Sequence, residues 1–175
     1  MTDNLEHNAA DYSGVVRTFL EVVENFRAVA IENDRDSGTG PLADLNDHFT
    51  GPVQPQHLSS VPAFPVAWSV PMNYAPNYAS TRGDKGNLQF QVVTWAKNQD
   101  MTWALEDAMI YALAVVDNLE NDPALSDGPN DVPVGKTTWT NLDLDFAPRG
   151  AQGNQPQLRF AMVEFDVQLD RTVTW

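Results

Sequence analysis

The chain contains no cysteine, which excludes disulfides, zinc–thiolate sites and thiol nucleophiles. Positive charge is almost as scarce. Ten Lys and Arg face 24 Asp and Glu, for a formal charge of −14, and the only lysines are Lys85, Lys97 and Lys136. Phosphate recognition relies on clustered cations, so ordinary nucleic-acid binding is disfavoured. No apolar run approaches the roughly 18–20 residues of a membrane span. The opening MTDNLEHNAADYSG lacks the basic and apolar regions of a signal peptide. His7, His48 and His57 form neither an HExxH nor an i, i+4 pair, which argues against a metal site. GxSxG, GxGxxG, GxxxxGK and the DxDxDG calcium loop are all missing. A Ser–His–Asp set can be written down from Ser59, His57 and some aspartate, but a triad is defined by geometry, which spacing does not show. Neither a cofactor nor a metal is expected.

Acid is what the chain has in excess, and most of it is aspartate. At 1 M salt the Debye length is about 3 Å, so neighbouring surface carboxylates hardly sense one another. The Asp-rich, Lys-poor composition resembles that of proteins from extreme halophiles. An acidic mesophilic protein kept soluble by its charge is the other reading. The carboxylate groups DRD (34–36), SDGPND (126–131) and NLDLD (141–145) do not match the calcium loop, and in NLDLD Asp143 and Asp145 alternate with Leu on a strand and read as a solvated face. A length of 175 residues with 42% hydrophobic content suits a single domain, 1–175.

Residues 1–12 read as a flexible tail. A helix is predicted from Ser13, as N-cap, to Ile31, because Val15, Phe19, Val22, Phe26 and Val29 step by 4, 3, 4, 3; Val16, Leu20 and Val23 widen that stripe. Residues 32–60 break both helical and strand patterns and read as a long loop, with Leu42, Leu45 and Phe49 suited to a short helical turn. A strand at 61–70 carries Pro62 and Pro65, which points to an edge position or an irregular start. Residues 71–86 read as a second long loop, and 87–97 as an alternating strand. Asp100 caps a helix from Met101 to Asn121 whose apolar line is Leu105, Met109, Ala112, Val116 and Leu119. Pro123 forbids its continuation and leaves Leu125 free to fold back on the last turn. Two strands, 136–148 and 158–175, close the chain as a hairpin.

This order predicts an α+β fold: a small mixed or antiparallel sheet of about four strands, two helices packed on one face, and long loops. Trp68, Trp95 and Trp139 read first as core residues of strands. Tyr74 and Tyr78 suit a contact with another protein, because interface centres favour Tyr and Trp. The contact candidates are Leu42, Leu45, Phe49, Trp68, Tyr74 and Tyr78.

The run GNLQFQVVTWAKNQDMTWALEDAMIYALAVVDNLENDPAL is a strand, a polar link, an amphipathic helix and an Asp-Pro-x-Leu break, followed by a closing strand pair. With the N-terminal helix before it, this order resembles the tail terminator and tail-completion (head–tail joining) proteins of tailed phages and tailed haloarchaeal viruses. The insertion at 32–60 is longer than in the simplest members. The resemblance implies a structural virion protein, not an enzyme, made in the host cytoplasm and placed at the tail–neck junction. It implies a homohexameric ring whose partners are further copies of itself, the tail-tube protein and the neck or head-closure protein. DNA passes through without specific binding, and no membrane is involved. Two alternatives stay open: another virion part (a head-closure protein or tail-tube subunit), and a small halophilic enzyme or ligand-binding domain.

Overall fold

The computed structural model describes residues 3–36, 45, 47–51, 61, 63–80, 83–144 and 157–173. These form α1 (Asp3–Asp36), β1 (Asp47–Thr50), β2 (Val66–Ser80), β3 (Gly83–Asn98), α2 (Met101–Asn121), β4 (Val134–Leu144) and β5 (Gln157–Val173). The fold is α+β, with one five-stranded sheet in the order β1-β2-β3-β5-β4. Every neighbouring pair is antiparallel except β1–β2. Both helices pack on one face, as the pattern predicts, but the strand count is five, not about four.

The main core lies between the helices and that face. Val22, Phe26 and Val29 of α1, spaced 4 and 3 apart, are at most 1% exposed. The Phe26 ring stacks on Phe90 at 4.2 Å and meets Phe165 edge-on at 5.6 Å. Val16 and Leu20 do not widen the buried stripe; they point to solvent, 53% and 63% exposed. On α2 the cap is as predicted: the Asp100 carboxylate accepts from the N–H of Thr102 at 2.7 Å and of Trp103 at 3.2 Å. Its buried face, however, is centred on Ala104, Ala108, Tyr111 and Val115, while Leu105 and Met109 lie half-buried on its flank. Three alanines, at 104, 108 and 112, let the helix backbone approach the sheet closely. Thr94 reaches up from β3 and donates its hydroxyl to the Ala108 carbonyl at 2.8 Å.

The opposite face of the sheet holds a second apolar layer of Val66, Trp68, Val70, Val93 and Trp95. Trp68 and Trp95 are therefore core residues, each 4% exposed.

Three expectations about irregular segments change. Residues 3–12, read as part of a tail, are helical: α1 begins at Asp3 and runs through Ser13, so Ser13 is no cap. The Thr18 hydroxyl bonds to the Gly14 carbonyl at 3.0 Å, one helical turn back. The stretch 32–60 contains the end of α1 and the strand β1, and Phe49 lies on that strand, not on a helical turn. Within the stretch 71–86, read as a loop, residues 71–80 and 83–86 lie on the paired strands of the β2–β3 hairpin.

Prolines concealed that hairpin, and their placement explains why it forms. The Ser69 carbonyl faces away from β3, accepting from the Gly51 N–H at 3.0 Å, so Pro71 two residues on also faces the outer edge. A register shift between Pro71 and Asn73 admits one extra residue, and after it Pro76 falls on the same outer side. Neither proline removes a hydrogen bond from the β2–β3 ladder. Strand β2 is thus covered by β1 over Val66–Ser69 and is a proline-blunted edge beyond that, among the described residues. Over Val66–Ser69 the strand lies between β1 and β3, so the edge position expected for 61–70 does not hold there. The strand starts at Val66, not 61, which fits the other expectation, an irregular start.

Gly86 has a steric role in the arm. A Cβ there would lie 2.4 Å from Cε2 of Tyr74, whose ring crosses over it to meet Phe19 at 5.0 Å. Gly86→Ala is therefore expected to destabilise the protein by about 1–3 kcal/mol, the usual cost of overpacking. Urea unfolding at fixed KCl checks this; an unchanged midpoint would mean the ring moves aside freely.

The Asp-Pro-x-Leu break is a built turn. Leu125 adopts φ 56°, and its side chain is fully buried in the main core. Asp122 donates its N–H to the Asn118 carbonyl at 3.1 Å, and its carboxylate accepts from the Ser126 hydroxyl at 2.6 Å and the Asp127 N–H at 2.7 Å. Burial pushes its pKa up, but those hydrogen bonds, with others from the Ser126 and Ala124 N–H groups, outweigh it and hold the carboxyl below the ordinary 3.8. A carboxyl depressed in the folded state stabilises above its unfolded pKa and loses that contribution as pH falls through the folded value. Asp122→Asn should therefore melt earlier than wild type at neutral pH, with the gap closing below about pH 3.8. Thermal unfolding followed against pH tests this, and a gap constant down to pH 2 would contradict it.

Candidate interaction surface

Among the described residues, the predicted contact residues are spread over different parts of the fold. Leu42 lies outside the described residues, and Tyr78 is placed only as a backbone position on β2. Leu45 is buried in the main core. Phe49 stacks on Trp68 at 4.7 Å within the second layer. Tyr74 is half-buried against Phe19.

A different set of apolar side chains is exposed. On α2, Trp103, Ile110 and Leu113 are 61%, 39% and 46% exposed. Trp103 and Ile110 are seven residues apart, two turns along the same helix face, and Leu113 follows one turn later. Leu113 and Glu120 repeat the seven-residue spacing, and the Glu120 carboxylate accepts from Nε1 of Trp139 at 2.8 Å. That bond holds Trp139 of β4, itself 44% exposed, beside the helix. Scattered exposed apolar residues are ordinary, but a group along one helix face and onto a strand is the pattern of a contact surface. Its polar surround has one sign: Glu106, Asp107, Asp117 and Glu120 lie on α2, which has no Lys or Arg. The i, i+7 pair Trp103–Ile110 is visible in the sequence, but helical spacing alone does not tell an exposed apolar line from a buried one.

Polar groups meet elsewhere. A cleft of about 420 Å³ is lined by Glu24, Arg27, His48, Asp127 and Pro129, among others. Arg27 donates from Nη2 to the His48 carbonyl at 2.6 Å, and Nε2 of His48 bonds the Ser69 hydroxyl at 2.8 Å. Ser69 is 1% exposed, on a strand between two others, so a substrate carbonyl does not reach its oxygen. This Ser–His pair ties β1 to β2. His57 and Ser59 lie outside the described residues. Among the described residues no group of three or more His, Asp or Glu is placed to hold a metal ion. No described helix is long and apolar enough to cross a membrane.

No protein-family model matches the chain, and no curated protein does. Among solved structures it is similar to a chain of the virion of a native gene transfer agent (GTA) particle. The two are 11% identical, with a TM-score of 0.42, over 69% of this chain and 77% of the other. A likeness that distant carries no argument about function.

Proposed function

We propose that this chain is a structural protein of a tailed-virus particle, a tail terminator whose copies close into a ring of six between tail tube and neck. The observation that carries the reading is the apolar outer face of Trp103, Ile110 and Leu113, continued by Trp139, left open on a chain with a net charge of −14. Such a surface is costly in water and gains its value when another chain covers it. The order of elements, from the N-terminal helix to the Asp-Pro-x-Leu break and the closing strand pair, supports the same reading. In the ring, one rim meets the tail tube and the other the neck protein. A strongly acidic lumen lets DNA slide without adhering.

Charge makes the assembly salt-dependent. Each added copy brings a further −14, and at low ionic strength that repulsion opposes the apolar contact. Light scattering across a KCl series is expected to show an oligomer in molar salt that dissociates toward monomer in millimolar salt. A hexamer unchanged into millimolar salt would count against screening as the control. A head-closure protein or a tail-tube subunit could use the same surface. Copies per particle, counted by quantitative mass spectrometry of purified virions, separate these: one ring for a terminator, many for a tube. A chain that stays monomeric in brine and binds a small molecule in the Arg27–His48 cleft would favour the enzyme or ligand-binding class.

A further inference from the structure

We infer that successive copies in the ring meet helix to helix, the outer face of α1 of one copy lying on the outer face of α2 of the next. This rests on the ring reading above and names the two surfaces that build it.

The argument starts from charge. The outer face of α2 joins Trp103, Ile110 and Leu113 to the carboxylates of Glu106, Asp107, Asp117 and Glu120, with no cation on the helix. A second α2 laid on it would bring those carboxylates against their own kind, and juxtaposed like charges disfavour a partner. Salt screens charges closed into a contact much less than it screens exposed ones. The other helix offers a different surface. Val16 and Leu20 stand one turn apart on α1, 53% and 63% exposed. Arg17, with 81% of its side chain exposed, flanks them. Arg27, also exposed, lies two turns beyond Leu20 with Nη2 donating to the His48 carbonyl at 2.6 Å. Glu21 and Glu24 share this region, and Arg17 is bonded to Glu21 at 2.8 Å. An exposed i, i+4 pair of this kind is worth only a few tenths of a kcal/mol, so Arg17 can turn to a new carboxylate at little cost. Each helix thus presents an apolar pair or triplet at helical spacing; one adds arginines, the other only acids.

Two helices with such stripes pack ridge into groove at about 8–10 Å between axes. Trp103 is the large side chain suited to anchor the contact. In the ring the contact runs head to tail, so each copy keeps one free α1 face and one free α2 face; a pair in which α1 meets α2 twice about a twofold axis would instead leave none. Repetition then closes a ring or extends a filament, whereas a twofold contact would stop at a dimer.

The absence of cysteine makes the contact directly testable. Leu20→Cys and Ile110→Cys are placed in separate chains, both at exposed positions where the fold is not at stake. In about 2 M KCl, where surface charge is largely screened, a bis-maleimide spanning about 10 Å is added. The expected result is a covalent heterodimer when the two variants are mixed and none from either alone. The double variant Leu20→Cys/Ile110→Cys should give a ladder ending at the ring number. A dimer from Ile110→Cys alone or from Leu20→Cys alone, or a double variant that stops at a dimer, would reveal a twofold contact and overturn the inference. So would a wild-type oligomer with no cross-link in the mixture. In that last case the ring reading survives and only the named surfaces fail. A wild-type chain that scatters as a monomer at every salt concentration sinks both together. Leu20→Asp and Ile110→Asp give a second readout: each alone should be monomeric, and their mixture should stop at dimers.

Discussion

Replacing Asn25 with alanine is expected to lower the unfolding free energy by about 3–5 kcal/mol, from several polar groups left unpaired at about 1–3 kcal/mol each. Asn25 is fully buried on α1. Its amide nitrogen donates to the carbonyls of Leu125 at 3.0 Å and Asn130 at 2.7 Å. Its oxygen accepts from the backbone N–H of Asn130 at 2.9 Å and from the Asn130 side chain at 3.0 Å. Both donors and both acceptor positions of the amide are used. The turn is shaped to fit: a Cβ on Gly128 would lie 2.4 Å from Cγ of Asn25. Without the amide, the Asn130 carbonyl and N–H lose their partner, the Leu125 carbonyl keeps only the Gly128 N–H at 3.4 Å, and Leu125 loses a brace for its entry into the core. Asn25→Asp should be about as damaging, since it aims a carboxylate at two carbonyl oxygens. Domains are stable by only about 5–15 kcal/mol, so either change should shift the urea midpoint far to the left at fixed KCl. A loss below about 1 kcal/mol, the net worth of a single hydrogen bond, would show that the turn holds without Asn25.

Phe26→Ala is expected to cost about 3–5 kcal/mol, the range for emptying a buried aromatic site. Its ring is fully buried, stacked on Phe90 and edge-on to Phe165, so it joins α1 to the two central strands β3 and β5. Collapse into the space is limited, because strands on both sides are fixed in the ladder. Phe26→Leu keeps most of the volume and should cost clearly less, losing chiefly the ring contacts. Equal losses for the two variants in urea would mean that aromatic geometry, not volume, decides the site.

The two helices were legible because their signals are local. Asp100 before an apolar helical pattern and Pro123 after it delimit α2 to the residue, since a cap and a forbidden N–H act over one turn. Phe26 and its neighbours appear in the 4, 3 stepping for the same reason. The hairpin arm was not legible. Pro71 and Pro76 read as loop residues until one knows which edge of β2 each faces, and that depends on an extra residue between Pro71 and Asn73 in the pairing with β3. Strand β1 is four residues long and has meaning only beside β2. The rotation of α2 was also hidden. Whether Leu105 or Ala104 faces inward depends on how closely the sheet lets the helix approach, and Thr94 on β3 takes part in that.

The candidate surface divides along the same line. The excess of acid, the missing cysteine and the lack of any catalytic spacing are sums over residues, and the sequence alone determines them. So are the helices that carry Trp103, Ile110, Val16 and Leu20. Which of those apolar residues remain outside was decided by the tertiary structure, because a helix offers several faces and packing buries only one. Burial depends on distant partners: Phe90 and Phe165 for α1, Thr94 and Ala161 for α2. Only after those contacts are made are an acidic apolar face and an arginine-bearing apolar face left over on one chain.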